Sequence, residues 1–153
     1  MPPRLKLLFL CTGNACRSQM AEGWARHLHR TTVEAHSAGV APAGVDPRAV
    51  RVMAERDVDL SSQRSKHVTE LAGIEFDTVI TVCDRAREHC PVLPGAARYL
   101  HVGFDDPPRL ARDAADEQQA LSHYRRVRDE IETFVRGLER VLEGAGSTGS
   151  ERR

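Results

Sequence analysis

Cys11 and Arg17 frame the run Cys11-Thr12-Gly13-Asn14-Ala15-Cys16-Arg17-Ser18, a Cys-x5-Arg-Ser pattern. The apolar run Leu7-Leu8-Phe9-Leu10 ends at the cysteine, and a helical pattern begins at Met20. The spacing therefore predicts a strand, a tight loop and a helix N-terminus, with a thiol at the first loop position. Successive backbone N–H groups of such a loop can converge on one tetrahedral anion, and the helix macrodipole reinforces them. The same field favours thiolate over thiol, which makes Cys11 the expected nucleophile. Arg17 offers a planar fork for two oxygens at once. Gly13 and Asn14 suit the unusual backbone angles of a cradle, and Ser18 can donate a hydrogen bond to Cys11. Residues Thr12, Gly13, Asn14, Ala15, Cys16, Arg17 and Ser18 are thus the expected oxyanion-binding set. The chemistry indicated is covalent attack on phosphate or something of its shape.

Two further groups of residues carry chemistry. Asp105-Asp106-Pro107-Pro108 places carboxyls where one could protonate a departing oxygen. Cys83 and Cys90 are a poor zinc pair, because their spacing is too long and no second pair accompanies them. If the segment between them were helical, their Cα atoms would be about 10 Å apart. A disulfide requires less than about 7 Å, so bonding the two would need the polar segment to unwind, a redox-driven local rearrangement. Cys16 reads as a small structural residue. The histidines form no ligand spacing, so no metal centre and no bound cofactor are expected.

These residues need elements to hold them. Residues 4–10 suit a central strand buried on both faces. A helix over 20–29 follows, with Ala21, Trp24, Ala25 and Leu28 at helical spacing. A second strand is expected over Val33–Ala38. Asp46-Pro47 then starts a helix to about Arg56, the aspartate as N-cap and the proline at the first helical position. A short helix near Val68–Leu71 precedes the β-branched strand over 77–82, which ends at Cys83 as the first strand ends at Cys11. Residues 99–104 make a fourth strand. From Ala120 to Val141 apolar residues recur every three or four positions, a long amphipathic helix stopped by Gly144. Residues 1–143 are the expected domain and 144–153 a disordered tail. Alternating strands and helices imply an α/β fold with a parallel sheet, and a ligand site at the strands' C-terminal ends.

The chain has 153 residues, with 22 basic and 22 acidic side chains. That length fits one domain with a real core. The charge balance argues against nucleic acid or an anionic membrane as partner. The run after Lys6 is too short for a signal peptide, and no stretch reaches transmembrane length. The cytoplasm is the expected location, and the chain is expected to be a monomer. Four cysteines in that setting point to catalytic or redox use.

The run from Leu10 to Trp24 resembles thioredoxin-coupled arsenate reductases built on the low-molecular-weight tyrosine phosphatase fold. The resemblance continues through Ser37-Ala38-Gly39, Val82-Cys83, Cys90-Pro91, Gly103-Phe104-Asp105-Asp106-Pro107 and Arg126-Val127-Arg128-Asp129-Glu130-Ile131. It implies a single-domain three-layer sandwich with a four-stranded parallel sheet flanked by helices. It also implies a relay for arsenic detoxification. Cys11 attacks arsenate held by the loop amides and Arg17, and Asp106 protonates the departing oxygen. Cys83 then attacks Cys11 and releases arsenite, and Cys90 attacks Cys83. Thioredoxin, as external reductant, reduces the resulting Cys83–Cys90 disulfide. Phosphate and sulfate would act as substrate mimics. The alternative is a small tyrosine phosphatase, but that family usually follows its Asp-Pro with two aromatics, and here Pro108 and Arg109 stand there. Weak phosphatase activity on small esters is expected in either case. A thiol-based sensor is a third reading, disfavoured by the neutral charge and the lack of a helix-turn-helix. Some members of the resembled family hold potassium at positions matching Asn14, Glu22 and Ser37 plus an acid. Lys66 occupies the acid's place here, so no potassium requirement is expected.

Overall fold

A computed structural model describes residues 3–84 and 98–148. Strand β1 (Leu5–Leu10) occupies an interior position of a parallel four-stranded sheet with order β2-β1-β3-β4. Its last four residues, Leu7 to Leu10, are all essentially inaccessible, as a strand covered on both faces requires. β2 (Val33–Ala38) pairs along its whole length with β1, from Leu5 opposite Val33 to Leu10 opposite Ala38. β3 (Thr78–Thr81) pairs on the other side, with Leu10 opposite Thr81, and β4 (Tyr99–His101) forms the far edge. Pairing runs on past both short strands, since Val82 donates to Leu10 O and Phe104 to Val82 O. The ends expected at 82 and 104 are visible in those bonds.

Alternation along the strands divides the core in two. Leu7, Phe9, Ile80 and Leu100 face the larger cluster, with Trp24 of α1 (Arg17–Leu28) and Tyr124, Val127 and Ile131 of α4 (Glu117–Arg136). Leu8, Leu10 and Val79 face the smaller cluster, where Phe76, Val68, Leu71 and Ile74 come from a 3-10 turn (Val68–Leu71) and the residues after it. Helix α2 (Pro47–Ala54) packs against α1 and α4, and α3 (Pro107–Ala111) packs against α4. Asp46 caps α2 through Arg48 N–H, with Pro47 at the first helical position, as the sequence indicates.

The C-terminal region departs from expectation in two ways. The long helix breaks at Gly137, whose N–H turns in to Phe134 O, and resumes as α5 (Leu138–Thr148). The apolar spacing Phe134, Leu138, Val141 runs unbroken across this joint, so periodicity alone hides it. Gly144 does not stop α5, which continues to Thr148. A glycine inside a helix costs about 1 kcal/mol and is not by itself a terminator.

An ion-pair network locks α2 onto α4. Glu55 accepts two hydrogen bonds from Arg125 Nε and Nη2 and one from Arg128 Nη1, and the buried Arg128 also donates to Val52 O. Arg125, then Arg128, pull the Glu55 carboxyl from its ordinary 4.5 to about 2. A carboxyl depressed on folding contributes stability that is complete above about pH 4.5 and disappears as pH falls toward 2. Glu55→Gln should therefore lower the urea midpoint at pH 7 but not near pH 2. Because the pair is substantially solvated, the loss at pH 7 should be about 1 kcal/mol or less.

Candidate active site

The strand order reverses between β1 and β3, the switch point at which open parallel sheets bind ligands. Cys11 emerges from β1 at that point. Its N–H still bonds Ala38 O at 3.3 Å, so the start of the loop is anchored in the sheet. The loop then closes on Cys16, the N-cap of α1. That cap contributes no side-chain hydrogen bond, and the first turn of α1 holds no acidic residue. The positive end of the helix is thus left for an external anion.

The loop's outer rim fixes which way its peptides face. Thr12 O accepts from the N–H groups of Val40 and Ala41, Ala15 O from Asp46 N–H, and Asn14 O from Gln19 Nε2. In a trans peptide the N–H points opposite to the C=O. The N–H groups of Gly13, Ala15 and Cys16 are therefore turned inward. Gly39 permits this close wrapping, since a Cβ there would run into the carbonyl oxygens of Thr12 and Cys11. Asn14 adopts φ 47°, the left-handed turn that reverses the chain at mid-loop.

Inside lies a cavity of about 490 Å³, lined by Cys11, Thr12, Gly13, Ala15, Cys16 and Arg17, with Ala43, Asp106 and Pro108 as walls. Asn14 and Ser18, both expected among the anion-binding residues, are fully buried and do not line it. Their side chains brace the loop from beneath. Asn14 Nδ2 donates to Ser18 Oγ at 2.8 Å, and Ser18 Oγ lies 3.1 Å from Cys11 Sγ. A Cys11 thiolate can only accept, so toward that form the Ser18 hydroxyl is the donor. Asn14 is itself held by Gln19 Nε2 and by Lys66 N–H on its Oδ1.

Arg17 is buried, and its Nη1 donates to Phe104 O at 3.0 Å. Its Nη2 lies 3.6 Å from Asp106 Oδ1. Asp106 is the N-cap of α3, with Pro107 and Pro108 opening the helix, and so is aimed at the cavity. Asp105 turns away to Arg126 at 3.1 Å on the surface. Burial, then the nearby Asp46 carboxylate, push the Cys16 thiol well above its ordinary pKa. Cys16 is thereby kept protonated beside Cys11.

Cys83 is fully buried two positions after β3. Register places Val82 beside Cys11, so Cys83 begins one step past Cys11 on the neighbouring strand. Cys83 is engaged in a disulfide, while Cys11 and Cys16 are both free thiols. Cys90, and with it the expected unwinding between 83 and 90, lies outside the described residues.

A family pattern described as "Low molecular weight phosphotyrosine protein phosphatase" matches residues 6–147. The chain belongs to that family. It is similar to the arsenate reductase of Bacillus subtilis, 42% identical over 125 residues, which span 82% of this chain and 88% of the relative. It is likewise similar to arsenate reductase 2 of Staphylococcus saprophyticus, 41% identical over the same shares. A solved arsenate reductase in the phosphate-binding state superposes with TM-score 0.75 at 28% identity, over 90% of this chain and 98% of that one. A thioredoxin-dependent arsenate reductase from Corynebacterium glutamicum superposes with TM-score 0.65 at 26% identity, over 94% of this chain and 64% of that one.

The structure brings Cys11, Arg17 and Asp106 to one cavity, held by supports that the sequence did not single out. Gln19, Gly39, Ser65 and the Phe104 carbonyl all act on the loop from afar, Ser65 by donating to Gly13 O at 3.1 Å. The Ser-Ala-Gly end of β2 was the one signal that bore on them. Among the described residues no group of three or more histidines, cysteines or acids is placed to hold a metal ion, and no helix is long and apolar enough to cross a membrane.

Proposed function

We propose that the protein reduces arsenate to arsenite in the cytoplasm by a three-cysteine relay that thioredoxin regenerates. The observation that carries this reading is the placement of two cysteines at the sheet's switch point. Cys11 stands at the floor of the loop cavity, and Cys83 is buried at the end of the adjacent strand. The cavity wall supports it too. Ala43 and Pro108 provide no aromatic surface for a tyrosine ring.

Arsenate enters with its oxygens on the inward N–H groups and on the Arg17 fork. The Cys11 thiolate, hydrogen-bonded by Ser18, attacks arsenic and forms an S–As bond. Asp106 gives a proton to the departing oxygen, which leaves as water. Cys83 then attacks Cys11 Sγ as a thiolate. The S–S bond forms, the S–As bonding pair passes to arsenic, and arsenic(V) leaves as arsenite. Cys90 attacks Cys83, restores the Cys11 thiolate and leaves a Cys83–Cys90 disulfide. A dithiol of thioredoxin reduces that bond, supplying the two electrons arsenic has taken.

Comparing arsenate reduction with p-nitrophenyl phosphate hydrolysis tests the reading. Efficient thioredoxin-dependent arsenate turnover with weak ester hydrolysis is expected. Fast hydrolysis without arsenate turnover would make the protein a phosphatase.

The protein also works without potassium. Lys66 Nζ lies 4.0 Å from Glu22 Oε1, Ser37 Oγ donates to the same oxygen, and the Lys66 N–H takes up Asn14 Oδ1. The ammonium therefore stands where a cation would bridge these groups, although burial lowers its pKa. Rates in potassium and sodium salts at equal ionic strength should agree. Clear activation by potassium would refute this.

A further inference from the structure

We propose that Asp46 and Tyr124 form a positioning pair that holds the Ala15–Cys16 peptide of the cradle in its anion-binding orientation. The inference rests on the cradle reading above and adds residues that neither line the cavity nor meet the substrate.

The Asp46 N–H donates to Ala15 O at 2.9 Å, and this bond turns the Cys16 N–H inward. Where Asp46 sits therefore decides where that donor points. Its carboxylate is fixed from two sides. Oδ1 accepts from Arg48 N–H as the cap of α2, and Oδ2 accepts from the Tyr124 hydroxyl of α4. Tyr124 has no freedom of its own, being 1% exposed. The Arg48 guanidinium lies 5.9 Å from its ring centroid and is held by both oxygens of Glu117. Loop, α2 and α4 thus meet at one carboxylate.

The charge of that carboxylate is the informative part. A negative group behind an anion cradle repels the ligand, and serine or asparagine would cap α2 about as well. A carboxylate offers in addition a strong acceptor for the tyrosine hydroxyl, since charge-assisted O–H···O⁻ bonds are roughly twice as strong as neutral ones. Burial and the Asp46 bond both raise the Tyr124 pKa, so the hydroxyl remains the donor at all working pH values. The geometry trades some electrostatic attraction for a fixed N–H.

The test measures inorganic phosphate binding by calorimetry, arsenate KM and kcat, and thermal midpoint for Tyr124→Phe, Asp46→Ser and Asp46→Asn. Asp46→Ser keeps a cap but cannot reach the hydroxyl, so it breaks the pair even if Tyr124→Phe folds poorly. Asp46→Asn keeps the cap through its one oxygen but turns an N–H donor, not an acceptor, toward the Tyr124 hydroxyl. Tyr124→Phe and Asp46→Ser should each weaken phosphate binding and raise KM about tenfold, with kcat changed less. The double variant should be no worse than either single one, and Asp46→Asn should be impaired in the same direction, since it removes the charged acceptor of the Tyr124 hydroxyl. Two outcomes would overturn the pair: midpoints that fall while phosphate affinity and KM stay within about twofold, or Asp46→Asn with wild-type phosphate affinity and KM. A wild-type protein that binds no phosphate would overturn the cradle reading and the pair with it. Wild-type binding with unchanged variants overturns the pair alone.

Discussion

Cys90→Ser protein should release one arsenite per molecule and then stop, with Cys11 and Cys83 joined in a disulfide. The relay requires this, because only Cys90 can attack Cys83 and return Cys11 to the thiolate. Quench-flow measurement of arsenite with peptide mapping of the trapped bond checks it. Cys83→Ser should fail one step earlier, with arsenic(V) attached to Cys11 and no arsenite released. Steady-state rates of both variants, and of Cys11→Ser, should fall by about a thousandfold or more, since each removes an obligatory nucleophile. Multiple thioredoxin-dependent turnovers by Cys90→Ser would contradict the relay. The structural basis is the β1–β3 register, which brings Cys11 and Cys83 to adjacent strand ends.

Arg17→Lys should be the next most damaging change, lowering kcat/KM for arsenate by about 10²- to 10³-fold. The reason is geometric. Nη1 is held by Phe104 O at 3.0 Å and Nη2 stands 3.6 Å from Asp106, so the guanidinium plane is fixed at the cavity wall. A lysine keeps the charge, but one ammonium cannot take the carbonyl and also bind two arsenate oxygens. Steady-state kinetics together with the thermal midpoint separate this effect from misfolding. A loss of less than about fivefold would mean that charge alone suffices and the fork does not.

The parts of this site that were legible in the sequence are those set by local chemistry. A thiol after four apolar residues, an arginine six positions on and a β-branched strand ending in a second cysteine mark the candidate nucleophiles, and the alternation of strands and helices gives the fold class without coordinates. Asp46-Pro47 likewise announces α2, because capping is a short-range matter. What escaped depends on chain segments far apart in sequence. The inward turn of the loop peptides comes from residues 39–46, and Arg17 is braced by Phe104, 87 positions away. The side chains of Asn14 and Ser18 are buried beneath the loop as supports for Cys11, a placement their residue types do not reveal. At the C-terminus the apolar repeat concealed the break at Gly137, since packing on both sides of it uses the same face.

The most direct measurement is arsenate-dependent NADPH oxidation in the presence of thioredoxin and thioredoxin reductase. The account predicts sustained oxidation by the wild-type protein, stoichiometric with arsenite formed and absent when thioredoxin is omitted. Arsenate-independent oxidation, or none with every component present, would contradict it.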